Sequence, residues 1–318
     1  MLMSTQTNSA REAVVLLFTT DDLASNNWTV QDPIYKTPSE EDYLMLECAD
    51  MFQMGNYWYL VFSENWSDHV GTHYRMATSS SGPWTKPEND RFDGEYFYAA
   101  KTETNGADRF IFGWNARKSP ENNLGNKEYA GNLVAHKLVQ NHDGTLSVKQ
   151  PEAIENVFSK EVDLEVERIS GDVDHDGTTV VLNSGAQTSS IVFKPLKPSN
   201  QIKFNLKLPS NGGTAGLIVA QDLETGSGFK IAFEPAHNRI VAYLKNASGD
   251  SYVNHISFSF SGDATHNVTL TVNNDVCVLY INDQIAFSNR VYDINTNWSI
   301  YGDNTHATFS NIAIKTPY

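Results

Sequence analysis

The sequence predicts an all-β protein, and three observations carry that prediction. Apolar and β-branched runs recur about every ten residues, Gly, Asn and Asp separate them, and no long stretch keeps a 3.6-residue period. Evenly spaced short strands joined by turn residues are typical of sandwiches, barrels and propellers. Representative predicted strands cover residues 14–19, 57–62, 109–114, 202–208, 215–220 and 230–233.

The first 150 residues are organised in aromatic-rich units of about 40 to 45 residues. Each unit holds a turn with a tryptophan, namely Asn27-Trp28, Gly82-Pro83-Trp84 and Gly113-Trp114. Four-stranded units of that length are typical of propeller blades. We therefore predict a partial β-propeller of about three blades over residues 1–150, followed by a linker over residues 151–164.

The remainder of the chain shows the alternation of antiparallel strands. Residues 268–272 alternate Val, Leu and Val with two Thr, and 273–275 form a turn. The chain returns through 276–281, turns again at 282–284 and continues through 285–287, while 307–314 alternate in the same way. Such meanders build sheets with one buried face. We predict an antiparallel β-sandwich over residues 165–318.

Composition excludes several classes of function. The chain has 23 Lys and Arg against 38 Asp and Glu, a formal net charge of −15, and no cluster of basic residues. Such a chain repels phosphate backbones, so we expect no nucleic-acid partner. The run 13–18 has six apolar residues, too few for a signal core or a membrane span. We expect no membrane partner and, as the chain stands, a cytoplasmic location; secretion stays open if the native N-terminus is missing.

Metal and cofactor motifs are also missing from the sequence. Cys48 and Cys277 fit no metal or redox spacing and are expected to be two buried or half-buried thiols. Residues 172–177 (DVDHDG) mimic the start of a calcium loop, but Asn183 stands where an EF-hand needs Glu, so a polar turn is expected. No zinc or nucleotide motif occurs, and we expect no metal and no cofactor.

The most informative segment is 44–52 (LMLECADMF), where a carboxylate lies inside an apolar run. Glu47 is followed by a thiol at Cys48 and by a second carboxylate at Asp50. Burial raises the pKa of a carboxyl group, and a group of raised pKa suits a general acid that protonates a glycosidic oxygen. The alternative is a carboxylate at a strand edge that backbone N–H groups satisfy.

Five segments in order resemble glycoside hydrolase family 32, the family of invertases, inulinases and levanases. Glu47-Cys48-Ala49-Asp50 is similar to the family's Glu-Cys-Pro-Asp motif, with Ala49 in place of Pro. The other segments are 17–23 with Asn27-Trp28, 97–102 (FYAAKT), 110–114 (FIFGW) and 131–146. The family's second domain is a β-sandwich, which agrees with the prediction for residues 165–318.

The resemblance implies roles for four residues. Glu47 matches the general acid/base, and Asp50 matches a carboxylate that binds the fructosyl hydroxyls. Tyr98 and Trp114 would line the sugar pocket. Asn115 and the segments 72–75 and 82–84 depart from the true invertases, so the resemblance implies a fructosyl or related glycoside without naming one.

Two motifs of the family have no match in this sequence. The nucleophile belongs to a W-M-N-D-P-N-G motif and the transition-state stabiliser to an R-D-P motif, whereas the sole Asp-Pro pair, Asp32-Pro33, fits a turn. The chain is thus expected to start after the first two blades of a five-bladed propeller. An open stack of blades leaves an apolar face, which predicts a truncated product, a split enzyme or self-association.

Two further interpretations stay open at this point. The chain could be a non-catalytic carbohydrate-binding remnant that uses the same pocket and the sandwich. It could also be a structural subunit that completes a separate N-terminal chain.

Overall fold

The computed structural model describes residues 1–7, 12–210, 212–262 and 264–317, and they form an all-β chain. The predicted all-β class is therefore confirmed. The chain divides into two compact units, one of residues 1–114 and 133–149 and the other of residues 115–132 and 150–318. None of the helices in the described part of the chain is long and apolar enough to cross a membrane.

The first unit is built on three antiparallel sheets of four, three and four strands. A short 3₁₀ helix, Ser39–Glu41, joins the first two sheets. Two strands of the third sheet are divided between the units, because their residues 115–119 and 126–132 belong to the second unit. The strands are β1 Leu2–Gln6, β2 Ala13–Thr19, β3 Thr29–Val30 and β4 Tyr35–Lys36; β5 Glu47–Met54, β6 Tyr57–Glu64 and β7 Gly71–Ala77; and β8 Phe97–Thr104, β9 Arg109–Ser119, β10 Asn126–Gln140 and β11 Leu146–Lys149.

A buried network of charges fastens β7 to the chain around it. Arg75 is 1% exposed and donates from Nη2 to both carboxylate oxygens of Glu41, at 2.9 and 2.7 Å. Its Nη1 donates to Asp90 Oδ2 at 2.6 Å, and its Nε donates to the Tyr35 hydroxyl at 2.8 Å. The guanidinium also lies 5.0 Å from the ring centroid of Phe62. A buried charge is tolerated only when it is paired and hydrogen-bonded in this way.

His73 extends the network to a third buried carboxylate, Glu64. Its Nδ1 lies 3.1 Å from Asp90 Oδ2 and its Nε2 lies 3.6 Å from Glu64 Oε1. Burial opposes ionisation of Glu64, but bonds from His73, Ser67 and the Trp66 and Ser67 N–H groups outweigh it and lower its pKa to about 2. Burial likewise opposes the charge on His73, but Asp90 and Glu64 outweigh it and raise its pKa above 6.5.

These shifts predict a stability optimum for the first unit between about pH 4.5 and 6.5. Glu64, with its depressed pKa, stabilises the unit above about pH 4.5, and this contribution is lost as the pH falls toward 2. His73, with its raised pKa, contributes fully below pH 6.5 and less as the pH rises through its folded value. Urea unfolding at pH 3, 5.5 and 9 measures the loss of stability on the acid and on the alkaline side. His73→Gln should abolish the loss on the alkaline side, whereas His69→Gln on the exposed loop should keep it. A free energy of unfolding that does not change with pH would refute this assignment.

The second unit is built on one sheet of eight strands and one of seven. The eight-stranded sheet holds β12 Phe158–Val162, β14 Val173–His175, β15 Val180–Asn183, β17 Ser199–Lys207, β22 His266–Asn273, β23 Val276–Ile281, β24 Ile285–Arg290 and β26 His306–Pro317. The seven-stranded sheet holds β13 Val166–Ser170, β16 Ser189–Phe193, β18 Thr214–Gln221, β19 Gly228–Glu234, β20 Arg239–Asn246, β21 Gly249–Ser257 and β25 Asn297–Asp303. The helices are α1 Glu152–Glu155 and the 3₁₀ turn Pro235–His237.

Both sheets contribute to one hydrophobic core. Inward residues of β22 and β23, including Leu270 and Leu279, pack in the same cluster as Leu217, Ile231 and Trp298 of the other sheet. The meander β22–β23–β24 has the predicted strands and turns, and Asn274 and Asn282 take the left-handed conformation that tight hairpin turns need.

Two other predicted segments have a definite structure. The stretch 151–164, predicted as a linker, holds α1 and β12, and β12 pairs with β26. The calcium-like segment 172–177 forms a hairpin, because β14 pairs with β15 and Asp176 Oδ1 accepts a bond from the Thr179 N–H at 2.8 Å. Within the described ranges no group of three His, Cys, Asp or Glu is arranged to hold a metal ion.

Candidate functional site

A bulge at the start of β5 brings the two predicted carboxylates to one face. Glu47 lies opposite Ser63 and Asp50 opposite Val61, so three steps along β5 match two steps along β6. Residues three apart on a regular strand point to opposite faces, but the extra residue of a bulge reverses that relation. The backbone of the bulge is distorted at Cys48, whose φ of 54° is unusual for a residue other than glycine.

Glu47 is held by a phenol from the neighbouring sheet. The Tyr98 hydroxyl donates to Glu47 Oε2 at 2.5 Å. Burial, the hydrogen bond to Glu47 and the Glu47 charge all raise the pKa of Tyr98 well above its usual range. The phenol therefore stays protonated and remains the donor, which fixes the orientation of the Glu47 carboxylate and leaves Oε1 outside this bond.

Asp50 is anchored through one of its two oxygens. Its Oδ2 accepts bonds from the Thr102 N–H and the Thr102 hydroxyl, both at 2.8 Å. The Thr102 hydroxyl in turn accepts from Arg109 Nη1 at 2.9 Å, and the Arg109 guanidinium lies 4.4 Å from the ring centroid of Phe52. The carboxylate is thus oriented by neighbours that belong to the same unit.

Aromatic side chains adjoin these carboxylates. The Trp114 ring lies 5.2 Å from the Tyr98 ring, at an angle of 53°. Gly113 allows β9 to approach β8, because a Cβ there would lie 2.7 Å from the Phe97 ring. The structure therefore brings together all four residues that the sequence singled out.

Replacing Gly113 by alanine is expected to destabilise the first unit by about 1–3 kcal/mol, as overpacking does in well-packed interiors. The new methyl group must displace the buried Phe97 ring, which also contacts His136 at 4.6 Å. Chemical denaturation gives the size of the effect. Gly185→Ala is the matched control, because its Cβ would meet nothing within 4 Å; equal effects of the two changes would contradict the packing role of Gly113.

Several supporting residues had no signal in the sequence. Ser63 on β6 accepts a bond from the Ala99 N–H at 3.0 Å, and Ala99, with a φ of 54°, lies directly beside Tyr98. Lys101 donates to the Ala49 carbonyl at 2.6 Å and bridges the bulge. Thr102 and Lys101 belong to the segment 97–102 that the resemblance used, but their contacts could not be predicted from it.

The remaining predicted features are located as follows. Cys48 is a half-buried free thiol whose pKa is raised by burial, lowered by Lys101 and raised by Glu47, with a net rise. Cys277 is fully buried, and burial raises its pKa to about 12. Asp32 and Pro33 lie on an exposed loop between β3 and β4.

The site itself combines two anchored carboxylates with two aromatic rings, which suits proton transfer to a polyhydroxylated substrate.

Comparison with known families identifies the whole chain. Residues 1–151 match the N-terminal domain of glycosyl hydrolases family 32, and residues 144–314 match a C-terminal domain of the same family, of the BT1760-like type. The chain belongs to glycoside hydrolase family 32. The resemblance stated from the sequence is therefore confirmed.

Several solved structures share the fold of this chain. A β-fructofuranosidase from Bombyx mori superposes with a TM-score of 0.67 at 15% identity, covering 99% of this chain and 62% of that one. A β-fructofuranosidase from Aspergillus kawachii gives 0.72 at 13% identity, with coverage of 99% and 66%. Sucrose-6-phosphate hydrolase from Lactobacillus gasseri gives 0.64 at 15% identity, with coverage of 100% and 63%.

These proteins are longer than the present chain, which spans under two thirds of their length. No curated protein matches the sequence significantly.

Proposed function

We propose that the chain provides the acid/base half of a fructosidase-type glycoside hydrolase. Glu47 would donate a proton to the leaving oxygen and later accept one from water, while Asp50 would bind hydroxyl groups of the fructosyl residue. Tyr98 and Trp114 would contact the apolar face of the sugar. The observation that carries the proposal is the face shared by Glu47 and Asp50, with Tyr98 donating to Glu47.

The fold is proposed in finer terms as well. The three sheets of the first unit would be about three blades of a five-bladed propeller over residues 1–150, and residues 165–318 would form a β-sandwich. The sheet orders and the shared core of the second unit support this arrangement, as do the two domain matches to family 32.

The reaction needs a second carboxylate opposite Glu47. Retaining glycosidases place the two groups about 5–5.5 Å apart on either side of the scissile bond. We propose that propeller strands outside this sequence carry the nucleophile, either in the same polypeptide or in a partner chain. A second copy covering the open face is the corresponding proposal for self-association.

The direct test is release of fructose from sucrose, inulin and levan by the purified chain. Turnover supports an enzyme that works with the residues of this chain. Sedimentation of the same sample shows whether the active species is a monomer or a self-associated dimer. Turnover only after addition of a polypeptide with the two missing motifs supports the split enzyme. Affinity for these sugars without turnover in either experiment supports the alternative, a carbohydrate-binding remnant.

Asp50→Asn is expected to weaken sugar binding about tenfold. A hydrogen bond to a charged acceptor is worth about 1.5–3 kcal/mol, and the amide keeps the shape of Asp50 but loses its charge. Calorimetric titration with fructose or inulin measures the change. Asp108→Asn is the control, because Asp108 pairs with Lys137 at 2.9 Å away from Glu47 and Asp50; an unchanged affinity of Asp50→Asn would remove Asp50 from the binding site.

A further inference from the structure

The outer face of the seven-stranded sheet carries a second cluster that the catalytic proposal does not use. Side chains alternate between the two faces of a strand, so Ile218, Ala232, Val241 and Tyr301 point away from the main core. They nevertheless form a small buried cluster of their own, against which Tyr243 packs. A sheet face that is buried outside its main core is unusual for a sheet with one solvated side.

Charged side chains surround this small apolar cluster. Lys230 is paired across the strands with Ile218 and Tyr243. Its ammonium lies 2.9 Å from Asp250 Oδ2 and 3.8 Å from Asp303 Oδ2, and 4.6 Å from the ring centroid of Tyr301. We call Lys230, Tyr243, Asp250, Tyr301 and Asp303 the outer-face cluster. Its charged members are one ammonium and two carboxylates.

Tyr301 is the member that points to a ligand. The side chain is 2% exposed, and its hydroxyl has no hydrogen-bond partner in the described part of the chain. Burial first, and then the negative charges of Asp303 and Asp250, raise the pKa of this phenol well above 10. The hydroxyl is therefore a permanent donor held among carboxylates, and a buried donor without a partner costs free energy unless something accepts from it.

We propose that the outer-face cluster binds a neutral sugar residue of a polysaccharide. The two carboxylates can accept bonds from sugar hydroxyls, and Lys230 can donate to sugar oxygens. The buried Tyr301 hydroxyl can donate as well once the side chains that cover it move aside. The Tyr243 ring offers a flat apolar surface to the C–H groups of a sugar ring. One positive charge against two negative charges disfavours phosphate and other anionic ligands.

The site is independent of the proposed hydrolysis, since all its residues belong to the second unit. The chemistry of the site selects for hydroxyl groups and against charge, and it does not select a particular sugar. Neutral polysaccharides of different composition, such as inulin, levan and dextran, therefore show which polymer supplies the bound sugar residue. Anionic polygalacturonate is the control polymer that should not bind.

The test is retention of the full chain in native gels that contain one of these polysaccharides. The unaltered chain should be retained by at least one neutral polysaccharide and not by polygalacturonate. Lys230→Met and Asp303→Asn should weaken the association at least tenfold, and Tyr301→Phe about fivefold. Lys194→Met is the matched control, because Lys194 pairs with Glu165 at 2.5 Å elsewhere in the unit and is exposed.

Thermal unfolding separates a binding role from a structural one. Tyr301→Phe removes only a hydroxyl without a partner, so its unfolding midpoint should equal or exceed that of the unaltered chain while retention falls. Lack of retention by every neutral polysaccharide, or equal retention of all outer-face variants, would overturn the proposal. If Glu47→Gln loses sucrose hydrolysis but is retained by the polysaccharide as before, the result supports the proposed hydrolysis and shows that retention does not depend on it.

Discussion

Replacing Arg75 by methionine is expected to lower the free energy of unfolding of the first unit by about 3–5 kcal/mol. Removing one partner of a buried ion pair strands the other charges: Glu41 would lose both bonds from the guanidinium, and Asp90 would keep its contact with His73 but lose the shorter bond to Arg75, which accounts for that magnitude. Here the guanidinium pairs with Glu41 and Asp90, both mostly buried, at 2.7 and 2.6 Å. Lys86, 3.5 Å from Glu41, is half-exposed and cannot replace it.

Tryptophan fluorescence during urea unfolding measures this effect selectively. Five of the six tryptophans lie in the first 114 residues, so the signal reports chiefly on the first unit. Arg168→Met, at an exposed position, is the matched control and should change stability by about 0.5 kcal/mol or less. A loss below about 1 kcal/mol in Arg75→Met would show that the network is dispensable.

Two companion measurements test whether unpaired charge causes the destabilisation of Arg75→Met. The triple change Glu41→Gln, Arg75→Met and Asp90→Asn should recover part of the lost stability, because no unpaired charge stays buried. Lowering the pH from 7 to 4 should narrow the gap between Arg75→Met and the unaltered chain, since unpaired carboxylates take up protons readily. If the gap widens instead, lost packing of the Arg75 side chain would explain the destabilisation.

The strands could be predicted from the sequence because their signals are local. In the meander β22–β24 alternation and Asn-rich turns determine both strands and register within a few residues. The Arg75 network could not be predicted in this way. Tyr35, Glu41 and Asp90 lie 40, 34 and 15 positions from Arg75, and no local pattern tells which charged residues meet in a folded chain.

The candidate site shows the same division between local and long-range information. A motif identified Glu47 and Asp50, but their spacing alone would place them on opposite faces of a strand. The bulge that reverses this depends on Cys48 taking a positive φ, which nothing in a non-glycine residue predicts. The anchoring by Thr102, 52 positions from Asp50, depends on the packing of β8 beside β5.

Glu47→Gln is expected to lower the turnover of an unactivated fructoside about 10²–10⁴-fold, in any assembly in which this chain is active. Glutamine keeps the size of Glu47 but can neither donate nor accept the transferred proton. Binding should change little, because the amide oxygen still accepts the bond from Tyr98. The expected result is therefore a large fall in kcat with a similar KM for sucrose or inulin.

The chemistry of the leaving group separates a proton donor from a structural carboxylate. A fructoside with an acidic phenol as leaving group needs no protonation, so Glu47→Gln should cleave it far better, relative to the unaltered chain, than it cleaves sucrose. Azide, which attacks without a general base, should restore part of the second step. Glu103→Gln, exposed on β8, should behave as the unaltered chain. An equal loss on both kinds of substrate, without rescue by azide, would assign Glu47 to positioning and require another acid.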